Sequence, residues 1–89
     1  MPLENLQLSD DVVARELSGE LMLLDLASGK YFGLNAVGAR LWQLLEEGQN
    51  TAQAREIMLD EFDVTPERLD GDLADLIGQL VDAGLAKVD

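Results

Sequence analysis

The amino-acid sequence predicts an α+β domain, in which a three-stranded antiparallel sheet is followed by three helices. Two observations lead to this prediction. Residues 12–34 contain three apolar runs separated by glycine-containing turns, and residues 36–83 contain three stretches whose apolar residues recur at helical spacing. The chain has 89 residues, of which 47% are apolar, which is enough for one small hydrophobic core.

The apolar runs predict strands at residues 12–17, 21–26 and 31–34. Ser18-Gly19-Glu20 and Ala27-Ser28-Gly29 separate them, and glycine is typical of short hairpin loops. The second run is almost entirely apolar, as expected for the central strand of a meander. The third strand is therefore expected at an edge of the sheet.

The rest of the chain predicts helices at residues 36–47, 51–62 and 65–83. A residue whose side chain caps helix N-termini stands at each start; these are Asn35, Asn50 and Thr65. The inward-facing residues are Val37, Leu41, Leu44 and Leu45, then Ala54, Ile57, Met58 and Phe62, then Leu69, Leu73, Leu76, Ile77 and Leu80. We therefore expect the helices to pack on one face of the sheet.

Residues 1–10 show no clear period and are expected to form a loose N-terminal arm, which leaves residues 11–89 as a single domain. The N-terminus has no basic segment followed by an apolar one, so no signal peptide is predicted. The apolar runs are too short to span a bilayer. The chain has no cysteine, which suits a reducing compartment. We expect a cytoplasmic monomer.

The composition argues against catalysis and against metal binding. Without histidine and cysteine, the chain lacks the commonest general base, thiolate nucleophiles and the usual zinc ligands. Asp60, Glu61 and Asp63 lack the loop pattern of a calcium site, and the scattered glycines form no phosphate-binding loop. We expect a protein that is not an enzyme and holds no metal or cofactor.

The charge argues against nucleic acid and membrane partners. Eighteen acidic residues against six basic ones give a formal net charge of −12. Three helices after a hairpin suggest a winged helix-turn-helix-like arrangement, but the candidate recognition helix, residues 65–83, carries five carboxylates against Arg68 alone. Phosphate groups would be repelled by this surface. The acidity is explained either by solubility or by a role in choosing partners.

The third predicted strand carries the first candidate site. An edge strand leaves backbone N–H and C=O groups unpaired and invites another strand, and Lys30 is only a partial guard. Phe32 and Leu34 share one face of this strand. Tyr31 and Gly33 share the other. Either Phe32 and Leu34 are simply core residues with Tyr31 on the surface, or the strand receives an extended peptide beside a helix.

The third helix is the element most suited to flank that strand. At about 100° per residue, four leucines centre its buried face, and a polar shoulder lies beside them. The leucines are Leu69, Leu73, Leu76 and Leu80, and the shoulder comprises Arg68, Asp72, Asp75 and Gln79. Such a shoulder is either a solvated surface or one wall of a groove with an apolar floor.

Two segments resemble a known family. "LLDLASGKYFGLNAVGARLWQLLEEG" and "FDVTPERLDGDLADLIGQLVDAGL" are similar to the PqqD-like family, the recognition elements of ribosomally synthesised and modified peptides. The resemblance covers about residues 11–88. Its most specific part is the strand-to-helix junction, residues 31–35, with the "GARLW" that follows at residues 38–42.

The resemblance implies a winged-helix-like domain that binds the leader segment of a precursor peptide. In this family the leader adds as a strand to the third strand and faces the third helix, which correspond here to residues 30–34 and about 65–82. The implied peptide-binding residues are Lys30, Tyr31, Phe32, Gly33, Leu34, Arg68, Leu69, Asp72, Leu73, Asp75, Leu76 and Gln79.

The stand-alone length and "LNAVGARLW" are most similar to the discrete leader-binding proteins of lasso peptide pathways. That resemblance implies an adaptor that presents the precursor to a leader peptidase and a cyclase. A second reading is a peptide chaperone for a radical enzyme, as in pyrroloquinoline quinone biosynthesis, but this chain has "EEGQN" where that chaperone usually has "DG". A third is a small acidic regulatory domain.

Overall fold

A computed structural model describes residues 6–18 and 20–88 of the chain. The elements in chain order are β1 (Leu6–Leu8), β2 (Val12–Leu17), β3 (Glu20–Asp25), β4 (Lys30–Leu34), α1 (Ala36–Glu46), α2 (Thr51–Glu61), α3 (Pro66–Asp82) and β5 (Ala86–Val88). The predicted α+β class, with three strands followed by three helices, is confirmed. Gly19, in the first predicted turn, lies outside the described residues.

The main sheet has the strand order β2-β3-β4, and both pairings are antiparallel. The apolar strand β3 is central, as its composition predicted, and its residues Leu21 and Leu23 point into the core. The strand β4 lies at an edge, also as predicted. This position leaves one side of β4 without a partner strand among the described residues.

The N-terminal segment differs from the expected loose arm. Leu6–Leu8 form β1, which pairs antiparallel with β5 and places Leu6 opposite Val88. Leu6 is buried with Leu85 and Ala86, so the expectation of a loose arm is wrong for Leu6–Leu8. A three-residue strand that pairs with the far end of the chain has too few residues to show a period. Residues 1–5 lie outside the described residues, and the division into an arm and a domain stays a prediction.

The hairpin between β3 and β4 turns one residue earlier than predicted. Leu26 was expected to end the second strand because it is apolar, yet it lies in the turn and is 59% exposed. The Asp25 carboxylate accepts the Ala27 N–H at 3.1 Å and the Ser28 hydroxyl at 2.8 Å. This side-chain bonding stabilises the turn, and Gly29 completes it at φ +75°.

The helix starts follow the predicted capping residues. Asn35 accepts the Gly38 N–H at 3.0 Å, and Thr65 accepts the Arg68 N–H at 3.2 Å. Asn50 and Gln53 form a reciprocal capping box. These caps satisfy N–H groups that the helices leave unpaired, so each helix begins where its predicted cap stands.

The core has two adjoining parts. One lies between the main sheet, the β1–β5 pair and α1, with Leu23, Trp42 and Leu80 among its buried residues. The other lies among the three helices and includes Leu41 and Met58. Both parts contact the half-buried residues of α3 that lie next to β4, so the sheet edge and the helix are held in a fixed relation.

Candidate functional site

The direction of the β3 hydrogen bonds follows from one contact at the end of the sheet. The Leu26 N–H donates to the Asp11 carbonyl at 2.8 Å. These two residues continue the register that pairs Val12 with Asp25. Since hydrogen bonding alternates along an antiparallel strand, the odd-numbered residues of β3 direct their N–H and C=O groups toward β4.

The same alternation shows which backbone groups of β4 are free. The odd-numbered residues of β3 stand opposite Lys30, Phe32 and Leu34, which are therefore bonded inside the sheet. Tyr31 and Gly33 direct their N–H and C=O groups to the outer edge. The strand thus presents two outward donors and two outward acceptors at a spacing that a further strand can match.

The side chains of β4 divide between the two faces as predicted. Leu34 is buried and Phe32 is half-buried against the core, on the face that looks toward the helices. Tyr31 is 71% exposed on the opposite face, and Gly33 is also exposed. Phe32 and Leu34 are core residues, but they also form part of an open groove.

This groove lies between β4, the first turn of α1 and one flank of α3, and has a volume of about 200 Å³. We call it the peptide groove; it is lined by Phe32, Gly33, Leu34, Asn35, Val37, Gly38, Asp72, Asp75, Leu76 and Gln79. Its floor is apolar and its α3 wall is polar. It holds about seven water volumes, enough for a large side chain but not for a folded segment.

Gly38 sets how closely α1 approaches the floor. A Cβ atom at this position would lie 3.2 Å from Leu34 Cδ2 and 3.4 Å from Leu76 Cδ1. Both distances are short for carbon contacts, so a larger residue would push these leucines outward. The absence of a side chain at Gly38 therefore keeps the floor of the peptide groove in place.

Two ion pairs connect α2 to the two helices that line the groove. Arg55 on α2 makes a two-pronged contact with Asp70 on α3, and Arg40 on α1 makes another with Glu61 on α2. The hydrogen bond from Arg55 lowers the pKa of the Asp70 carboxyl. The hydrogen bond from Arg40 likewise lowers the pKa of Glu61. Both pairs lie outside the groove lining and connect α2 to α1 and to α3.

The predicted site residues fall into three groups. Seven of them line the peptide groove together: Phe32, Gly33, Leu34, Asp72, Asp75, Leu76 and Gln79. Leu69 and Leu73 are each 1% exposed and belong to the core beneath α3. Lys30, Tyr31 and Arg68 are exposed and do not line the groove. The helical period of α3 predicted the wall residues Asp72, Asp75 and Gln79, but it wrongly added Arg68 and could not separate α3 leucines that face the groove from those that face the helices.

Three groove residues were not predicted. Asn35, Val37 and Gly38 come from the junction where β4 passes directly into α1. The absence of a loop between the two elements was the available signal. When a helix starts one residue after a strand, its first turn has to pack against the end of that strand.

A second concavity lies on the far side of α1. It is bordered by β1, the loop after it, the C-terminal half of α1 and β5, and its volume is about 1080 Å³. Trp42 lines it and is 2% exposed. Within the described ranges, its indole Nε1 is a buried donor with no hydrogen-bond partner. We call this region the Trp42 concavity.

The described residues contain no cluster of three or more metal-ligating side chains. Of the acidic residues considered for a cation, Glu61 bonds to Arg40 instead. No helix in this part of the chain is long and apolar enough to cross a membrane.

Comparison with known proteins shows the family to which the chain belongs. The model of the family described as coenzyme PQQ synthesis protein D (PqqD) matches residues 20–86, which run from β3 to the start of β5. The chain belongs to the PqqD family. No curated protein sequence matches it.

Two solved structures share the PqqD-like fold of this chain. TbiB1 in complex with the TbiA(beta) leader peptide is 37% identical, covers 91% of this chain and 94% of that chain, and has a TM-score of 0.83. Lasso peptide synthetase B1 complexed with the leader peptide is 26% identical, covers 93% of this chain and 98% of that chain, and has a TM-score of 0.81. The predicted resemblance to a PqqD-like recognition element is thereby confirmed.

Proposed function

We propose that this PqqD-family protein binds the leader segment of a ribosomally made precursor peptide by adding the leader as a strand to β4. The observation that carries the proposal is the outward backbone of Tyr31 and Gly33 beside the peptide groove. A strand paired there would lie about 4.8 Å from β4, with alternate side chains directed toward α3. Support also comes from the two similar proteins, both of which are complexes with leader peptides.

Within this proposal, backbone pairing fixes the pose and the groove selects the side chains. Phe32, Leu34 and Leu76 form an apolar floor for a leader side chain that points inward. Asp72, Asp75 and Gln79 form the wall. We further propose that the protein is a non-catalytic adaptor that delivers the bound precursor to a leader peptidase and a cyclase, as a cytoplasmic monomer.

The outer face of the sheet offers a surface for such an enzyme. Val13, Leu24 and Tyr31 stand opposite one another on neighbouring strands, and Val13 and Tyr31 are 39% and 71% exposed. Leu17 on the same strand as Val13 is 59% exposed. Exposed apolar side chains grouped on one face are typical of protein contacts. We propose this face, rather than the peptide groove, for the processing enzyme.

A chaperone for a radical enzyme is the second candidate, because the family model is described by coenzyme PQQ synthesis. The lasso reading is favoured by the similarity to lasso peptide synthetase B1, which is 26% identical and covers 93% of this chain. Co-purification with a peptidase or with a radical enzyme encoded beside the protein separates the two. The third reading, a small acidic regulator, predicts no leader binding at all.

The test is a matched set of substitutions in β4. Tyr31→Pro removes one outward N–H and leaves a leader carbonyl unpaired, so we expect affinity for the synthetic leader of the neighbouring precursor to fall about tenfold or more. Tyr31→Ala keeps the N–H and should bind within about twofold. Phe32→Pro removes an N–H bonded inside the sheet and should lower the thermal midpoint, whereas Tyr31→Pro should leave the midpoint close to that of the wild type.

Titration by fluorescence anisotropy and thermal unfolding by circular dichroism measure the two effects. Leader binding by Tyr31→Pro at wild-type affinity would show that β4 is not the docking edge. Cleavage of the leader by the purified protein alone would contradict the adaptor role.

A further inference from the structure

The polar wall of the peptide groove carries negative charge that the protein does not neutralise. Asp72 and Asp75 are both exposed and line the groove. Some acidic residues elsewhere on the helices are paired, Asp70 with Arg55 and Glu61 with Arg40, whereas others, such as Asp60 and Glu67, form no ion pair among the described residues. Within residues 6–18 and 20–88, no ion pair reaches either groove carboxylate. The protein therefore has counter-charges on the helices but does not place them at the groove.

The positions of Asp72 and Asp75 on α3 would allow the helix itself to supply a counter-charge, but it does not. Residues three apart share a face of a helix, and like charges at this spacing are mildly destabilising. Arg68 lies four residues before Asp72, at the spacing of a helical ion pair, but the two form none. No Lys or Arg lines the groove, whose other polar residues are the uncharged Asn35 and Gln79. A cation brought by a ligand would meet an unopposed negative wall beside an apolar floor.

From this charge pattern, and on the basis of the proposed function, we infer that the leader carries a Lys or Arg side chain that points toward α3 and contacts Asp72 and Asp75. The side chains of an added strand that face α3 are two residues apart. One such residue fills the apolar floor made by Phe32, Leu34 and Leu76, and the next one along extends its cation to the wall. The substrate class is therefore an extended segment with an apolar residue and a basic residue separated by one position.

Long-range attraction between the acidic protein and a basic peptide would not require the Lys or Arg at a fixed position relative to the apolar residue. A net charge of −12 favours any basic peptide, wherever it binds. A contact in the groove instead demands the cation at one position relative to the apolar anchor. Position dependence therefore separates a specific contact from general attraction.

A displayed library of random peptides, selected on the full chain, tests the inference without a known leader. We expect wild-type protein to enrich peptides with Lys or Arg two positions from an apolar residue. Asp72→Asn/Asp75→Asn should keep the apolar enrichment and lose the basic one. Asp60→Asn/Asp63→Asn changes net charge equally at exposed residues outside the groove, and should enrich as the wild type does.

Anisotropy with the most enriched peptide gives the magnitude. Replacing its basic residue with Gln should weaken binding to the wild type about three- to tenfold, and should have little effect on Asp72→Asn/Asp75→Asn. The inference is overturned if Asp72→Asn/Asp75→Asn still enriches basic peptides as the wild type does. It is also overturned if Asp60→Asn/Asp63→Asn loses the enrichment of basic peptides. Tyr31→Pro is selected in parallel with the wild type. If Tyr31→Pro recovers the same peptides as the wild type, β4 is not the docking edge and the proposed function is wrong. If Tyr31→Pro loses those peptides, but the peptides selected by the wild type show no preference for Lys or Arg, only the charge contact is wrong.

Discussion

The two concavities beside α1 differ in what surrounds them. The peptide groove is small, about 200 Å³, and lies next to a five-residue edge strand with outward N–H and C=O groups. The Trp42 concavity is about 1080 Å³, but it is bordered mainly by β1 and β5, which have three residues each and pair with each other, and β2 contributes only its first residue, Val12. Short edge strands attract partners poorly. The unpaired backbone, rather than the volume, therefore locates the candidate site.

The buried indole of Trp42 gives the largest expected effect. Trp42→Ala should lower the free energy of unfolding by about 3–5 kcal/mol, since it leaves a cavity in the core. Trp42→Phe should cost much less, about 1 kcal/mol, because it also removes a buried donor that has no partner among the described residues. Chemical denaturation measures both changes. If Trp42→Phe folds stably but loses leader binding, the Trp42 concavity is part of the leader-binding site, and the distinction between it and the peptide groove is wrong.

An intermediate effect is expected at the floor of the groove. Leu76 is half-buried, so Leu76→Ala should weaken leader binding by about 1–2 kcal/mol and lower stability by a similar amount. Val81→Ala is the matched control, because Val81 is an apolar α3 residue that lines the Trp42 concavity and is 38% exposed. Isothermal titration should give it wild-type affinity. Equal losses in both variants would mean that α3 affects binding only through stability.

The features that could be predicted from the sequence are those that depend on neighbouring residues. Capping residues and apolar periods act over a few neighbouring positions, so Asn35, Asn50 and Thr65 fixed the helix starts in advance. The edge position of β4 followed from the apolar composition of β3. The positions of Asp72, Asp75 and Gln79 on one wall followed from the period of α3, although Arg68, predicted beside them, does not line the groove. All of these are local signals, and the structure agrees with them.

The features that were missed depend on distant segments. Pairing of β1 with β5 joins the two ends of the chain, and a three-residue strand carries no period that would reveal it. The burial of Leu69 and Leu73, in contrast to Leu76 at the groove, depends on their packing against residues of α1 and α2 that are distant in the sequence. The turn at Leu26 was missed because the side-chain bonds of Asp25 outweigh the apolar character of one residue.

The smallest expected effect concerns the ion pairs that brace the helices behind the groove. Hydrogen bonds from Arg55 and Arg40 lower the pKa values of Asp70 and Glu61. A carboxyl whose pKa is lowered on folding stabilises the folded state above its unfolded pKa, about 4. That stabilisation is lost as the pH falls through the lower, folded value. Exposed ion pairs contribute little, so the shift in thermal midpoint should be small.

The measurement is the gap in thermal midpoint between the wild type and Asp70→Asn/Glu61→Gln. This gap should be constant from neutral pH down to about pH 5, should start to narrow near pH 4, where the carboxyls of the unfolded chain take up protons, and should close as the pH falls further through the lower, folded pKa values. Absolute midpoints are less informative, because acidification also relieves the repulsion within a chain of net charge −12. A gap that does not narrow at all as the pH falls below about 4 would mean that these residues stabilise the helices by packing and not by charge. Asp60→Asn/Asp63→Asn, which breaks no ion pair in the structure, should show no such closing gap.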